Sequence, residues 1–111
     1  MSAGDAYRKA AADLRARSAA LPDRAGLVVR KVAMDTQADA QRFAPVDTGN
    51  LRSSINTTTQ GLRAEVTATA DYAVFVENGT SRMAPRPFMG PATERHTPVF
   101  REAMARLAEG A

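Results

Sequence analysis

Residues 72–92, YAVFVENGTSRMAPRPFMGPA, restrict the possible fold more than any other stretch of this chain. The segment from Tyr72 to Glu77 would be apolar on both faces of an extended backbone and carries a charge only at its end. This pattern predicts a strand that is buried on both sides. Asn78-Gly79 follows with two residues that tolerate positive φ angles, so we expect the chain to turn sharply there.

Residues 81–91 are predicted to form a stiff arm because they contain three prolines, at positions 85, 87 and 91. Proline fixes φ and lacks a backbone donor, which prevents regular strand pairing and favours an extended chain. The arm carries Met83, Phe88 and Met89, whose apolar side chains must lie either on the domain's own core or on a neighbouring subunit. Our hypothesis is that Phe88 anchors such a neighbour, since burying a phenylalanine is worth about 1.5–3 kcal/mol.

The composition predicts one domain with a thin core. The chain has 111 residues and is 44% hydrophobic, but 23 residues are alanine and only 5% are aromatic. Alanine buries little area, so the hydrophobic contribution to stability is small for the length and favours a subunit that gains stability from partners. Cysteine is absent from the sequence, which excludes disulfides and thiolate metal sites.

Basic residues are concentrated near the N-terminus. Residues 1–31 contain seven Lys or Arg and three Asp, whereas residues 32–111 contain eight basic and nine acidic residues. A solvated helix face is the commoner reason for such a stripe, and contact with nucleic acid is the alternative. Arg8, Lys9, Arg15 and Arg17 belong to this stripe.

Taken in order, the chain predicts an α+β domain with N-terminal helices, a small antiparallel β-meander of three to four strands and a C-terminal helix. Pro22 is expected to divide the N-terminal part into two helices, and Pro45 to end the second. A hairpin is expected from the threonine-rich runs at 53–59 and 64–70, with the strand at 72–77 beside it. The single domain, 1–111, thus divides into a helical region (1–43), a β-meander (44–80), the arm (81–91) and a C-terminal helix (92–109).

No group of residues predicts catalysis. Asp47-Thr48-Gly49 is the tripeptide that carries the catalytic aspartate in dimeric aspartic proteases, but here a proline precedes it, and we interpret it as a turn. His96, the only histidine, is interpreted as an ordinary residue on a helix surface. Glu77 is expected to form a structural ion pair with Arg82 or Arg86. We therefore expect no enzyme activity, cofactor, metal, small-molecule substrate or membrane segment.

Three motifs in a fixed order resemble a known family. They are Ala44–Ile55 (APVDTGNLRSSI), Tyr72-Ala73 with Val76–Thr80 (VENGT), and Arg86-Pro87-Phe88 with Pro91-Ala92. Together they resemble the small neck or tail-completion proteins of long-tailed bacteriophages, the family named after gene product ten of phage HK-ninety-seven. The resemblance covers the chain from about residue 25 onward.

The resemblance implies a structural virion protein at the head-to-tail junction. Such a protein would form a homo-oligomeric ring, contact the portal-side adaptor or stopper and the tail terminator or tail tube, and let double-stranded DNA pass. It would lie in the neck or tail of the virion after assembly in the cytoplasm of the bacterial host. The interface candidates are Asp47, Thr48, Gly49, Leu51, Tyr72, Glu77, Gly79, Thr80, Arg86, Pro87 and Phe88. The candidates for lining the DNA channel are Arg8, Lys9, Arg15 and Arg17.

Three alternatives stay open. A tail terminator, which caps the tail tube, is also a small α+β ring protein. A basic nucleic-acid-binding module would bind DNA with a strong dependence on salt concentration. An aspartic protease would lose its activity on the substitution Asp47→Asn.

Overall fold

The computed structural model describes residues 2–45 and 49–110, except for the side chains of residues 17 and 18. The architecture is α+β, as predicted, and is dominated by one long N-terminal helix and one C-terminal helix. The elements in order are α1 (Ala3–Phe43), α2 (Asn50–Ser53), β1 (Ile55–Gln60), β2 (Arg63–Ala68), α3 (Ala73–Asn78) and α4 (Met89–Gly110).

Helix α1 begins and ends where the local chemistry predicts. The Ser2 hydroxyl accepts a hydrogen bond from the Asp5 backbone N–H (3.1 Å), and the Asp5 carboxylate accepts one from the Ser2 N–H (3.4 Å). This reciprocal arrangement is a capping box, which satisfies donors that have no partner inside the helix. The helix ends at Phe43 because Ala44, which precedes Pro45, takes an extended conformation.

The predicted break at Pro22 is wrong, since α1 continues through it as a single helix of 41 residues. A proline inside a helix removes one hydrogen bond and costs about 3 kcal/mol. The apolar stripe does not change direction at this point, because Leu21 and Ala25 lie one turn apart on the same face. A single helix keeps this stripe on one side of α1 across Pro22. Helix α4 likewise continues through Pro98.

The predicted hairpin is confirmed. Strands β1 and β2 pair antiparallel from Ile55 opposite Ala68 to Gln60 opposite Arg63. Gly61, with φ of 58°, takes the first position of the two-residue turn between them, a position that favours glycine in such hairpins. The sheet has only these two strands among the residues described, so the predicted meander of three to four strands is wrong.

The third predicted strand, at 72–77, is instead the short helix α3. Apolar residues on both faces of an extended chain also occupy all sides of a short helix, and six residues are too few for periodicity to separate the two. Val74 and Phe75 are exposed in the structure, so the segment is not the doubly buried element that its sequence predicted. Gly79, with φ of 76°, ends α3, and its N–H donates to the Phe75 carbonyl (2.8 Å).

The core lies where the C-terminal part of α1 meets α2, the start of β1 and the start of α4. Its largest fully buried side chains are Phe88 and Ile55, and most of the others are alanines. This agrees with the thin core that the composition predicts. Phe88 is 1% exposed, so within the protomer it occupies the core and not a surface from which it could anchor a neighbour. The core residues are Ala40, Ala44, Leu51, Ile55, Ala73, Phe88 and Ala92.

Helix α4 runs antiparallel to α1 and is much shorter. His96 near its start contacts Asp39, while Phe100, one turn later, lines a groove together with Val29 and Val32. The chain is elongated, with extents of 76 × 20 × 18 Å, because the N-terminal half of α1 projects past the end of α4. Within the described part of the chain, no helix has the length and hydrophobicity that crossing a membrane requires.

Replacing Phe88 by alanine tests whether the phenyl ring of this residue lies in the core. We expect Phe88→Ala to lower the free energy of unfolding by about 3–5 kcal/mol, because it leaves a cavity in a small core. Phe75→Ala is the matched control, since this ring is 53% exposed and its loss should cost less than about 1 kcal/mol. Urea unfolding of the two variants, followed by circular dichroism, measures the difference. Equal losses would contradict the placement of Phe88 in the core.

Candidate assembly surfaces

The motif residues of α3 and the arm form a rigid turn of the backbone between α3 and α4, which we term the corner (residues 72–88). After Gly79 the backbone forms a bridge in which the Thr80 N–H donates to the Met83 carbonyl (2.8 Å) and the Met83 N–H donates back (3.3 Å). The Arg86 N–H then donates to the Val76 carbonyl (2.8 Å), which fastens the arm along α3. The arm is therefore tied to its own protomer by backbone hydrogen bonds.

Glycine is required at position 79 for two reasons. Its φ of 76° lies in the left-handed region, which strains any residue with a side chain. In addition, a Cβ atom there would lie 2.8 Å from the Met83 carbonyl oxygen and 2.7 Å from the Pro85 nitrogen. Both of those atoms belong to the backbone and cannot move aside cheaply. Gly79 thus allows the close approach on which the corner depends.

Glu77 fixes the corner to helix α4. Its carboxylate accepts hydrogen bonds from three consecutive backbone N–H groups, those of Phe88 (3.1 Å), Met89 (2.8 Å) and Gly90 (3.2 Å). The first N–H groups of a helix have no partner within it, and the positive end of the helix dipole favours an anion there. Glu77 therefore caps α4 from another element of the chain.

The partners of the Glu77 carboxylate within the protomer are backbone groups. The ion pair expected between Glu77 and Arg82 or Arg86, within the chain or across a subunit boundary, stays a prediction. A carboxylate at the end of an apolar segment did need a partner, as expected. The sequence could not indicate that the partner is a helix terminus eleven residues later.

The remaining motif residues are structural where the structure describes them. Gly49, with φ of 80°, precedes α2, and Leu51 is buried in the core. Asp47 and Thr48 lie outside the described residues. Tyr72 precedes α3 with its side chain exposed, and Pro87 is exposed on the arm. Gly49, Leu51, Glu77, Gly79, Thr80 and Phe88 thus serve the fold of the protomer itself.

The corner holds four exposed apolar side chains, which we term the α3 surface: Tyr72, Val74, Phe75 and Met83. Tyr72 and Phe75 are three residues apart and therefore neighbours on the helix face. Tyr72 and Met83 also line a cavity of about 350 Å³ whose floor includes Leu51 and Val76. The sequence indicated only Tyr72, because a buried strand was predicted where this surface lies.

A second apolar concavity lies between the hairpin and the two long helices. Its volume is about 440 Å³ and it is open to solvent. Its walls are Val29 and Val32 of α1, Ala64 and Val66 of β2, and Phe100 of α4. The two strands are too few to cover these helices, so part of the apolar face of α1 and α4 is left accessible.

Asp39 holds α1 and α4 together through a charged cluster. Its carboxylate lies 2.6 Å from His96 Nε2, 3.0 Å from Arg42 Nη2 and 3.4 Å from Arg95 Nη1. The hydrogen bond from His96, together with the charges of Arg95 and Arg42, lowers the pKa of Asp39, whereas burial opposes this shift. The prediction that His96 is an ordinary surface residue is wrong, since its side chain is only 16% exposed.

The basic side chains near the N-terminus lie along the exposed half of α1. Arg8, Lys9 and Arg15 are all exposed, while the side chain of Arg17 lies outside what the structure describes. Arg8 pairs with Asp5 at 3.2 Å on the surface. Arg8 and Arg15 are seven residues apart and therefore lie on one side of the helix, whereas Lys9 lies on another side. No cluster of three or more metal-ligating side chains occurs in the described part of the chain.

Comparison with protein families identifies the class of this chain. The family model described as "Bacteriophage HK97-gp10, putative tail-component" matches residues 8–79. This match covers well over half of the 111 residues. The chain therefore belongs to this family of phage tail components, as the motifs predict. No curated protein and no solved structure matched the chain in the parallel comparisons.

The matched range differs from the range over which we noted the resemblance. It includes residues 8–24 of α1, which carry no distinctive motif, and it ends at Gly79, before the Arg86-Pro87-Phe88 motif. The first motif, the second motif up to Gly79 and helix α1 from Arg8 onward thus lie within the family match. The arm and α4 are attached to that part through Glu77 and the core contacts of Phe88.

Removing the charge of Glu77 tests its role as a remote cap. We expect Glu77→Gln to lower the free energy of unfolding by about 1–2 kcal/mol, because an amide oxygen accepts more weakly than a carboxylate and loses the interaction with the helix dipole. The matched control is Glu102→Gln, which breaks an exposed ion pair with Arg106 and should cost under about 0.5 kcal/mol. Hydrogen exchange of the first turn of α4 should accelerate only in Glu77→Gln. Unchanged exchange there would refute the cap.

The Asp39 cluster predicts a pH dependence. Because the pKa of Asp39 is lowered on folding, its stabilising contribution is complete above the unfolded value of 3.8 and is lost as the pH falls through the lowered folded value. Wild type should therefore be more stable than Asp39→Asn at neutral pH, and the gap should narrow below about pH 4. Asp35→Asn, which removes an exposed pair with Lys31, is the control and should change neutral stability little. Thermal unfolding between pH 3 and 7 measures the difference in stability between wild type and Asp39→Asn. A difference that grows as the pH falls would contradict the role of Asp39.

Proposed function

We propose that this protein is a structural virion component that forms a ring at the head-to-tail junction of a tailed bacteriophage. In this role it joins the portal, adaptor and stopper proteins to the tail terminator or tail tube and lets double-stranded DNA pass. Membership of the tail-component family supports a structural tail protein. The ring, the junction and the non-enzymatic role are our proposal.

The observation that carries the proposal is the α3 surface. Exposed aromatic and aliphatic side chains are costly for a free subunit, and contiguous ones commonly mark protein interfaces. Here they are held in place by a corner that Gly79, Glu77 and backbone hydrogen bonds make rigid. A preorganised apolar surface reduces the entropy lost on association. It therefore suits a contact that is repeated identically from copy to copy around a ring.

The thin core and elongated shape fit the same role. A subunit whose core consists mainly of alanine gains stability from burial against neighbours. The accessible concavity beside Phe100 and the exposed half of α1 offer further area for such contacts. In a ring that encloses DNA, Arg8, Lys9 and Arg15 line the channel or pair with acidic neighbours. Because DNA has to slide, a channel should not bind it tightly.

Interrupting the gene early in its reading frame, in the phage that carries it, tests the placement at the junction. We expect electron micrographs of the lysate to show filled heads and finished tails that are not joined. Ragged or overlong tails would instead assign the protein to tail termination. Normal, joined particles would refute both roles, and salt-dependent DNA binding by the purified protein would then favour the nucleic-acid-binding module.

A variant pair tests the α3 surface within that phage. Phe75→Asp places a charge in the proposed interface, so we expect it to fold but to leave heads and tails unjoined when it replaces the wild-type protein. Met34→Asp is the matched control, because Met34 and Phe75 are both 53% exposed and Met34 lies on another helix. We expect the control to restore joined particles. Joined particles with both variants would contradict the role of the α3 surface.

A further inference from the structure

The apolar stripe of α1 has the spacing of a coiled-coil seam. Tyr7, Leu14, Leu21 and Val28 follow one another at intervals of seven residues. The residues three positions before these are small, so that large and small residues alternate along one face of the sequence pattern: Gly4, Ala11, Ser18 and Ala25. A repeat with an average period of 3.5 residues is typical of a helix that packs along a single partner helix. The repeat runs through both halves of α1.

Only the C-terminal half of this seam is covered within the protomer. Ala25 is 9% exposed and Val28 is half-buried, where α4 packs alongside. Helix α1 has 41 residues and is about 60 Å long, whereas α4 has 22 residues and is about 33 Å long. Beyond the end of α4, Tyr7 is 76% exposed and Leu14 is 58% exposed. The same seam that binds α4 thus continues for several turns without a covering element.

The narrow width of the exposed seam favours a helix as its occupant. One large residue per seven, with small residues between, forms a stripe of the kind found in coiled coils. Helices that insert into lipid have a much wider apolar face, usually with several bulky side chains per turn. In α1 the residues directly before and after Leu14 in the sequence are instead charged, namely Asp13 and Arg15. The seam is therefore too narrow for a membrane surface.

The charges beside the seam indicate the chemistry of that helix. Arg8 and Arg15 lie along one edge of the seam, and Arg24 lies along the other edge. A second copy of this helix has no acidic residue at these flanking positions and therefore offers the arginines no ionic partner. Acidic side chains on the partner would instead pair with them. The surface pair of Arg8 with Asp5 is too exposed to compete strongly.

We propose that the N-terminal half of α1, from Gly4 to Leu21, is a docking helix for one helix of a different protein, which presents an apolar seam flanked by acidic residues. This interface extends the seam that already binds α4. It is separate from the α3 surface and does not depend on the proposed function.

Titration of the ¹⁵N-labelled full-length protein with two model peptides tests this. Both peptides have the same leucine and alanine seam, and their flanking positions are all glutamate in one and all lysine in the other. We expect the glutamate peptide to shift the amide signals of residues 4–21 in nuclear magnetic resonance spectra, and the lysine peptide to leave them unchanged. Equal shifts with both peptides, or none with either at millimolar concentration, would overturn the proposal.

Variants of the protein distinguish the contribution of the apolar seam to peptide binding from that of the flanking charges. Leu14→Asp should weaken binding of the glutamate peptide about tenfold or more, because it removes a buried leucine from the interface. Ala16→Asp is the matched control, since it adds the same charge on the opposite face of α1 and should weaken binding much less. The double substitution Arg8→Glu with Arg15→Glu should reverse the preference toward the lysine peptide.

The same spectra distinguish the other occupants. If raising the protein concentration alone shifts residues 4–21, a second copy covers the seam and the proposal is wrong. If vesicles of anionic phospholipid or a short DNA duplex shift these signals while the glutamate peptide does not, the partner is a membrane or nucleic acid, and the proposal is equally wrong.

Discussion

The fold of the C-terminal half depends on one carboxylate. Glu77 accepts hydrogen bonds from three backbone N–H groups at the start of α4, so a side chain on α3 defines where the long C-terminal helix begins. Pro85 and Pro87 in the arm between them have no backbone N–H that could donate to a strand. The arm is held along α3 by backbone hydrogen bonds from Arg86 to Val76 and between Thr80 and Met83. With the Glu77 cap, Phe88 is directed into the core, and α4 is set along α1 with His96 opposite Asp39.

Much of this fold follows from local chemistry that the sequence displays. The hairpin was predicted because Gly61 lies between two threonine-rich runs of alternating polarity, and the end of α1 because a residue before proline leaves the helical region. The thin core followed from the alanine content. These features depend on residues close together in the chain, for which composition and spacing are sufficient evidence.

The features that could not be predicted depend on contacts between distant residues. Pro22 and Pro98 lie inside helices despite the local cost of proline, which local sequence rules do not predict. The segment predicted as a strand at 72–77 is instead helix α3, and periodicity over six residues could not decide between helix and strand. The exposed apolar side chains at Tyr72 and Phe75 became visible only once that segment was known to be helical.

The motif residues that stabilise the protomer and the exposed apolar side chains are therefore largely different sets. Gly79, Glu77 and Phe88 make the protomer rigid, and the apolar side chains available to partners lie beside them on α3 or at the far end of α1. A small protein with little core area cannot use the same side chain for its own stability and for a neighbour, since a buried ring has no free surface. In the docking that we propose, one half of the α1 seam stabilises the fold and the other half binds a partner helix. Because the seam is continuous, a partner that covers the N-terminal half would also stabilise the folded half, so assembly and folding are energetically linked.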